Sequence, residues 1–197
     1  IGIYDLEVIR GGFRLKIDKL EIRDNEYFVI LGPSGSGKTT LLNTLAGFIK
    51  PVKGNIIING VNVVNLPPEK RGLSYVFQDP LLLPHLTAFE NILLGSHGNV
   101  DYALKIASHL GLNDLLGKYP SQLSRGQQQK VALARSLAYD PKALLLDEPL
   151  SSLDRGSKEA IMEVLLKLRG NKTVIHVTHD LAEAFTLADR LAVICKG

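Results

Sequence analysis

The segment YFVILGPSGSGKTT, residues 27–40, places an apolar run directly before a glycine-rich loop and a lysine–threonine pair. Residues 32–39 match the pattern G-x-x-x-x-G-K-[ST], whose required setting is a β-strand before the loop and a helix after it. The apolar run favours the strand, and the residues from Lys38 onward favour the helix. The segment therefore predicts a strand–loop–helix unit built around a phosphate-binding loop.

The chemistry of this loop indicates a nucleotide site. Glycines let successive backbone N–H groups turn inward around an anion, and the helix amino terminus adds about half a positive charge. Lys38 is predicted to reach the β- and γ-phosphates, and the Thr39 hydroxyl to ligate Mg²⁺. The predicted nucleotide-binding residues here are Gly32, Pro33, Ser34, Gly35, Ser36, Gly37, Lys38, Thr39 and Thr40. The alternative, a glycine-rich turn with a surface lysine, leaves the flanking strand and helix unexplained.

Apolar strand-like runs alternate with helical stretches along most of the chain. The runs are FRLKI, YFVILG, NIIING, LSYVF, ALLLD, TVIHVTH and RLAVI, and the helical stretches are residues 38–48, 87–94, 100–110, 123–141, 158–169 and 181–188. Near-continuous apolar strands between helices predict an α/β fold with a mainly parallel sheet covered on both faces. The early strands have little helix between them, which predicts an adjoining antiparallel β subdomain. Residues of about 80–137 contain no convincing strand and are predicted to form an inserted helical subdomain of a single domain spanning 1–197.

Polar residues follow several of these strands. Asp147 ends ALLLD and Glu148 follows it directly. Asp147 can hold Mg²⁺, and Glu148 can act as base toward a water attacking the γ-phosphate. His179 follows TVIHVT and can donate a hydrogen bond to a phosphate oxygen or to that water. Gln78 follows LSYVF and suits a contact with Mg²⁺ or water. Taken alone, the two acids are equally typical of ordinary structure, His179 is more typical of a structural histidine, and Gln78 indicates no function. His176, earlier on the same strand as His179, is expected in the core.

Together these residues resemble the ATP-binding-cassette (ABC) ATPases, whose fold is a P-loop NTPase core, and the match runs along essentially the whole chain. The resemblance identifies residues 32–39 with Walker A, Gln78 with the Q-loop glutamine, and LSRGQ, residues 123–127, with the signature motif. ALLLDE, residues 143–148, corresponds to Walker B with Glu148 as the catalytic glutamate. SSLD, residues 151–154, corresponds to the D-loop and His179 to the switch histidine.

The family implies an ATPase that uses ATP and Mg²⁺ and forms a head-to-tail homodimer. Ser124, Gly126 and Gln127 would then contact ATP bound to the other subunit, with Gly126 leaving room for the phosphate and the glutamines of residues 127–129 facing the interface. Glu148, His179 and Gln78 would be catalytic, and Thr39, Gln78 and Asp147 would hold the metal. Gly126 lies at the start of the predicted helix of residues 123–141, where a glycine costs about 1 kcal/mol relative to alanine. The contact with phosphate explains why a glycine occurs there.

Two positions depart from the family pattern. Arg125 replaces the first glycine of the usual LSGGQ, and an added contact to nucleotide or partner is one interpretation of it. The aromatic residue that stacks on adenine falls near positions 8–13, where only Phe13 qualifies. Packing of Phe13 beneath the sheet is an equal alternative.

The segment LPPEKRGLSYVFQDPLLLPHLTAFENI, residues 66–92, resembles the cassettes of binding-protein-dependent importers. Within these importers, the short start of the chain and GGFRLKI, residues 11–17, resemble most closely the cassettes for molybdate or tungstate. Thiamine, sulfate, polyamine and sugar importers, and an exporter or lipoprotein-release cassette, are the alternatives. The expected partners are membrane permease subunits and, indirectly, a solute-binding protein, with no nucleic acid. Leu81, Leu82 and Leu83 are predicted to form either a docking patch for the permease or part of the core.

Composition agrees with a peripheral protein on the cytoplasmic face of a membrane. The apolar runs are too short to span a bilayer, no secretory leader is evident, and a net charge of +3 is mild. The single cysteine, Cys195, excludes an internal disulfide and is expected to be a small apolar filler. Because the chain starts at Ile1 and stops just after CKG, we expect one or both ends to be truncated.

Overall fold

The computed structural model describes all 197 residues, Ile1–Gly197, and contains nine strands and six α-helices. The strands are β1 (Gly2–Arg10), β2 (Phe13–Glu21), β3 (Tyr27–Leu31), β4 (Lys53–Ile58), β5 (Val61–Asn62), β6 (Leu73–Val76), β7 (Ala143–Asp147), β8 (Val174–Thr178) and β9 (Arg190–Val193). The helices are α1 (Lys38–Ala46), α2 (Ala88–Gly95), α3 (Val100–His109), α4 (Arg125–Ala138), α5 (Arg155–Leu166) and α6 (Leu181–Leu187). Short 3₁₀ turns lie at Pro68–Lys70, Asn113–Leu115 and Pro120–Gln122.

Five strands form a parallel sheet in the order β6-β7-β8-β3-β9. Alternate residues of its central strands enter two different cores: on β3, Tyr27 and Val29 join a cluster of 24 buried residues, whereas Phe28 and Ile30 join one of 17. A sheet buried on both faces needs apolar residues at every position, which explains the continuous runs in the sequence. The predicted α/β fold with a mainly parallel sheet is confirmed.

The antiparallel sheet has the order β2-β1-β4-β5 and packs its inner face on α1. The sequence did not indicate β1 as a strand. Its pairing with β4 shifts register between Tyr4 and Glu7, and Asp5 has a φ of 49°. Such a bulge interrupts the two-residue alternation by which a half-buried strand is recognised.

Helices α2, α3 and α4 lie between β6 and β7, where no strand occurs. Their side chains share the 24-residue core with β3, β7 and β8, and the treatment of residues 80–137 as a separate subdomain stays a prediction. Helix α5 begins three residues before the predicted position 158, because Asp154 caps it by accepting a hydrogen bond from the Ser157 N–H at 3.0 Å.

A buried arginine fixes the far end of α1. Arg71, only 2% exposed, donates hydrogen bonds to the carbonyls of Thr44 and Leu45 at the helix end and to those of Val64 and Leu66. Carbonyls at a helix carboxyl terminus lack partners within the helix, and a guanidinium can satisfy several of them at once. Arg71 therefore holds the helix whose opposite end forms the phosphate loop.

The exposure of side chains contradicts the prediction for Cys195 and distinguishes Leu82 from Leu81 and Leu83. Cys195 is exposed, so its assignment as a buried apolar filler is wrong. Leu81 and Leu83 are 56% and 38% exposed, whereas Leu82 packs against the larger core. The longest helix, α4, has 14 residues, and no helix has the length and apolar character needed to cross a membrane.

Candidate nucleotide site

The phosphate-binding loop occupies residues 32–37, between the end of β3 and the start of α1. Gly37 has a φ of 108° and lies against Phe13, whose ring would be 2.7 Å from a Cβ at this position. At Gly32 a Cβ would be 2.2 Å from the Ile194 carbonyl oxygen. Both positions therefore require glycine. At Gly37 the reasons are the positive φ and the close contact with Phe13, and at Gly32 the reason is the close contact with Ile194 alone.

Helix α1 is the only helix of the six whose amino terminus lacks a side-chain cap. The other five are capped by Thr87, Asn99, Ser124, Asp154 and Asp180. Uncapped first-turn N–H groups need an acceptor, and a phosphate can provide it. The buried Ser36 hydroxyl, which has no hydrogen-bond partner, is a further polar group available at this loop.

A cavity of about 510 Å³ opens over the loop. Its lining residues are Arg10, Phe13, Ser34, Gly35, Gly37, Lys38, Thr39, Thr40, Gln78, Asp147 and Glu148. Gly32, Pro33 and Ser36 complete the loop without lining the cavity. Sequence reasoning missed Arg10, because an exposed arginine at the end of an unpredicted strand carries no local signal.

Lys38 brings the only basic group into the centre of the loop. Its side chain is 4% exposed, and Nζ donates hydrogen bonds to the Gly32 carbonyl at 2.7 Å and the Pro33 carbonyl at 3.0 Å. Nζ also lies 3.6 Å from Glu148 Oε1. A buried ammonium beside uncapped helix N–H groups is an arrangement suited to phosphate oxygens.

Asp147 is 8% exposed, and both of its carboxylate oxygens accept hydrogen bonds. Thr39 Oγ1 donates to Oδ1 at 2.9 Å, and the Tyr75 hydroxyl donates to Oδ2 at 2.8 Å. Burial raises the pKa of Asp147, although these two hydrogen bonds oppose the rise. A hydroxyl and a carboxylate beside a phosphate loop are hard oxygen donors of the kind that Mg²⁺ prefers. Sequence reasoning missed Tyr75.

Glu148 lies between two groups predicted to act with it. Its Oε2 is 3.1 Å from His179 Nδ1, on the side away from the 3.6 Å contact of Oε1 with Lys38. The backbone of Glu148 has a φ of 45°, and its N–H donates to the Val177 carbonyl at 3.0 Å. A non-glycine residue in this region is strained, and such strain is typical of active sites.

Gln78 forms a side-chain hydrogen bond with the D-loop and none with Thr39 or Asp147. Its Nε2 donates to Ser151 Oγ at 3.1 Å, and Ser151 Oγ donates to the Glu148 carbonyl at 2.9 Å. This chain of hydrogen bonds joins Gln78 to the backbone of Glu148, whose side chain contacts Lys38 and His179. The side chain of Gln78 is exposed and lines the cavity.

The signature motif, residues 123–127, does not line the cavity that contains Lys38. Ser124 caps α4 in a reciprocal pair with Gln127: Ser124 N–H donates to Gln127 Oε1 at 2.9 Å. Gly126 is buried, and a Cβ there would lie 2.4 Å from Ser157 Oγ of α5. Close packing of α4 on α5 is thus a reason for this glycine that the sequence did not reveal.

Two of the three glutamines expected to face an interface form hydrogen bonds within the chain, and burial contradicts the expectation for Gln129. Gln128 Nε2 donates to the Pro120 and Leu123 carbonyls at 2.9 and 3.2 Å. Gln129, 2% exposed, donates to the Phe77 carbonyl at 3.3 Å. Their role within the chain is to fix the position of α4.

The fold and this site define a P-loop nucleotide-binding domain. A family model described as "ABC transporter" matches residues 15–151, and the chain belongs to that family, as the motifs predict. The chain is 43% identical over 194 residues to the molybdate/tungstate import ATP-binding protein of Pyrococcus abyssi, covering 94% of this chain and 56% of that protein. It is 44% identical over 200 residues to the spermidine/putrescine import ATP-binding protein of Pseudomonas fluorescens, covering 95% of this chain and 54% of that protein. The chain thus spans about half the length of these relatives.

Among solved structures, the chain is similar to a dimeric, post-hydrolysis ATP-binding cassette bound to ADP and Pi. The TM-score is 0.85 with 33% identity, and the match covers 98% of this chain and 93% of that one. The similarity therefore extends over nearly the whole fold.

Proposed function

We propose that the chain binds ATP and hydrolyses it to ADP and phosphate. The observation that carries this proposal is Glu148, whose carboxylate contacts both Lys38 and His179 at the edge of the phosphate-loop cavity. A carboxylate in this position can orient a water molecule and accept its proton while Lys38 stabilises charge on the phosphate oxygens. His179 holds the Glu148 side chain and offers a hydrogen-bond donor to the same oxygens.

The metal proposed here is Mg²⁺, held by the Thr39 hydroxyl and the Asp147 carboxylate, with Gln78 as a further oxygen donor. When bound, Mg²⁺ neutralises charge on the β- and γ-phosphates. Both Asp147 oxygens are already oriented by hydrogen bonds, so little rearrangement is needed to present one of them. Thr40, in the first turn of α1, provides an additional donor toward the phosphates.

Two copies of the chain are proposed to act as a head-to-tail dimer. Ser124, Gly126 and Gln127 lie outside the cavity of their own chain, which supports a role at the site of a second copy. Ser124 and the amino end of α4 would then contact the γ-phosphate bound by the other subunit. A site divided in this way makes hydrolysis depend on association of the two subunits.

The dimer is proposed to drive solute uptake from the cytoplasmic face of a membrane through permease subunits. A cleft of about 380 Å³, lined by Phe48, Tyr75, Leu94, Arg135 and Tyr139 among others, offers a docking site for a helix of the permease. Phe48 and Leu94, which both line the cleft, are 54% and 52% exposed, and an open apolar surface of this kind supports a role in binding a partner. None of the three leucines of residues 81–83 lines this cleft, so the proposed docking site does not include the leucine patch that the sequence indicated.

Molybdate or tungstate is the solute favoured by the resemblance and by the Pyrococcus relative. A polyamine is the second candidate, because the Pseudomonas relative is named for spermidine and putrescine and has similar identity. Reconstitution with the permease subunits would decide between them. The solute-binding protein that stimulates ATP hydrolysis when loaded with its solute identifies the transported compound.

The replacement Glu148→Gln tests the hydrolytic assignment. We expect ATP to bind, phosphate release to fall by about 10²–10⁴-fold, and the ATP-bound dimer to persist, as measured by light scattering. Glu159→Gln, at an exposed glutamate paired with Arg155, is the matched control and should behave like the wild type. Hydrolysis by Glu148→Gln at a near-normal rate would remove Glu148 from the role of base.

A further inference from the structure

Helix α4 holds the segment of residues 77–81, hereafter the Gln78 segment, by side chains directed at its backbone. Gln129 donates to the Phe77 carbonyl, and Arg135 donates to the Pro80 and Leu81 carbonyls at 3.1 and 3.0 Å. Ser136, the residue directly after Arg135, has its Oγ 3.5 Å from the Tyr75 carbonyl. The Gln78 segment and α4 are therefore joined at several points along the helix.

The amino end of α4 adds a contact that involves charge. Arg125 forms an ion pair with Asp79, and its Nη2 also lies 3.5 Å from the Gln78 carbonyl. Arg125 follows Ser124 directly, and Asp79 follows Gln78 directly. The ion pair thus connects the residue next to the signature serine with the residue next to the Q-loop glutamine.

Gln78 and Ser124, the neighbours of the ion pair, have different roles under the proposed function, on which this inference rests. Gln78 lines the nucleotide cavity of its own chain, whereas Ser124 lies outside that cavity and is proposed to serve the second copy. We propose that Arg125 is a positioning residue, and that its ion pair with Asp79 couples the two ATP sites of the dimer within each subunit. A change in the position of Gln78 on ATP binding is transmitted through the ion pair of Asp79 with Arg125 to Ser124. It thereby reaches the ATP site that Ser124 shares with the second copy.

The exposure of the pair makes this coupling testable. The side chains of Arg125 and Asp79 are 40% and 72% exposed, so their ion pair contributes little to folding stability. Variants at either position should therefore fold normally. The other contacts of α4 with the Gln78 segment come from Gln129 and Arg135 and remain in such variants.

The experiment measures the rate of ATP hydrolysis against ATP concentration for Arg125→Gln, Asp79→Asn and the double variant. For two coupled sites the wild-type Hill coefficient lies above 1 and reaches at most about 2. We expect each single variant to fall to about 1 and the double variant to fall no further, which is the non-additivity of residues that act together. Binding of a fluorescent ATP analogue to the dilute subunit should change by less than about twofold.

Exchange of the two charges gives a second readout. The variant carrying both Arg125→Asp and Asp79→Arg re-forms the pair in reverse and should regain part of the cooperativity, which a simple loss of structure would not allow. Arg155→Gln is the matched control, since Arg155 occupies the same first helical position in α5 and pairs with an exposed glutamate. It should keep the wild-type Hill coefficient.

Three results would overturn the inference. Cooperativity retained in both single variants shows that the ion pair couples nothing. Cooperativity lost in Arg125→Gln but kept in Asp79→Asn assigns Arg125 to a direct contact with nucleotide or partner. A wild-type Hill coefficient of 1 removes the coupled two-site dimer itself, so failure of the proposed function is distinguished from failure of the ion pair.

Discussion

The Tyr75 hydroxyl donates a 2.8 Å hydrogen bond to Asp147 Oδ2, the carboxylate oxygen that Thr39 does not contact. Tyr75 stands on β6 beside β7, and its ring stacks on Phe77 with centroids 4.3 Å apart. Burial and the neighbouring Asp147 both raise the pKa of Tyr75, so it remains a neutral donor. The orientation of the proposed metal ligand thus depends on a residue that does not line the nucleotide cavity.

Removal of this hydroxyl should weaken metal binding. In Tyr75→Phe the stacked ring remains, but Asp147 loses one of the two donors that orient it. Loss of such a supporting hydrogen bond typically lowers metal affinity by about 10–100-fold. We expect the Mg²⁺ concentration for half-maximal ATP hydrolysis to rise by at least about tenfold, with ATP binding in EDTA unchanged. Tyr139→Phe, in the cleft near Phe48, is the control, and an unaltered Mg²⁺ titration for Tyr75→Phe would contradict this role.

A buried histidine should make folding stability sensitive to acid. His176 is fully buried, with Nδ1 2.9 Å from the Tyr27 hydroxyl, and burial together with Lys158 lowers its pKa to about 3. In the unfolded chain the pKa is about 6.5, so between these values the unfolded state binds more protons. Stability contributed by this group is therefore full above pH 6.5 and is lost as the pH falls toward 3, by up to about 1.4 kcal/mol per pH unit.

His176→Gln removes this titration and keeps a polar group near Tyr27. Urea unfolding between pH 7 and 4.5 should show a smaller loss of stability with acid in the variant than in the wild type, whatever its stability at pH 7. His109→Gln, on the exposed face of α3, controls for the loss of a histidine. Parallel pH dependences of His176→Gln and the wild type would show that His176 does not titrate as described.

The sequence predicted those parts of the site that depend on strand order. Lys38, Glu148 and His179 follow β3, β7 and β8, which are neighbours in the parallel sheet, so their side chains meet at its carboxyl edge. Continuous apolar runs made the strands recognisable. The residues that assemble at one edge could therefore be named before the structure was known.

Contacts between distant segments were not predictable in this way. Tyr75 with Asp147, Arg125 with Asp79 and Gly126 with Ser157 each join residues that share no periodic pattern, and each depends on how helices pack on the sheet. For Arg125 the sequence suggested a contact to nucleotide or partner. The structure gives it an acidic partner 46 residues away in its own chain, which no sequence pattern indicated.

Gly126 offers a test that separates packing from chemistry. Gly126→Ala places a Cβ 2.5 Å from the Ser157 Cβ, so α4 and α5 must move apart. Overpacking of this kind costs about 1–3 kcal/mol, which exceeds the gain of up to about 1 kcal/mol in helix propensity. We expect a lower urea midpoint for Gly126→Ala and its recovery in the double variant with Ser157→Gly.

The hydrolysis rate of that double variant then assigns the second role of Gly126. If the glycine also lets the phosphate of the other subunit approach the helix backbone, stability returns but ATP hydrolysis does not. Ser157→Gly alone is the control, because it retains the Ser157 N–H that Asp154 caps. Recovery of both stability and hydrolysis would restrict Gly126 to helix packing.

Phe13 is the aromatic residue available to the base of the nucleotide. It is partly exposed, lines the cavity with Lys38 and contacts Gly37, while also packing on the 17-residue core. Both roles proposed from the sequence are thus compatible with its position. Phe13→Leu keeps an apolar side chain against the core and removes only the aromatic face.

If Phe13 stacks on adenine, Phe13→Leu should weaken ATP binding by roughly fivefold or more, since stacking on an aromatic side chain contributes about 1–3 kcal/mol per base. Phe13→Tyr should bind ATP as the wild type does. In Phe13→Leu the affinity for GTP should fall in parallel with that for ATP, because stacking tolerates any base. Competition against a fluorescent ATP analogue measures all three. An unchanged ATP affinity for Phe13→Leu, accompanied by a lower urea midpoint, would place Phe13 in the core alone, since packing would then account for its whole effect.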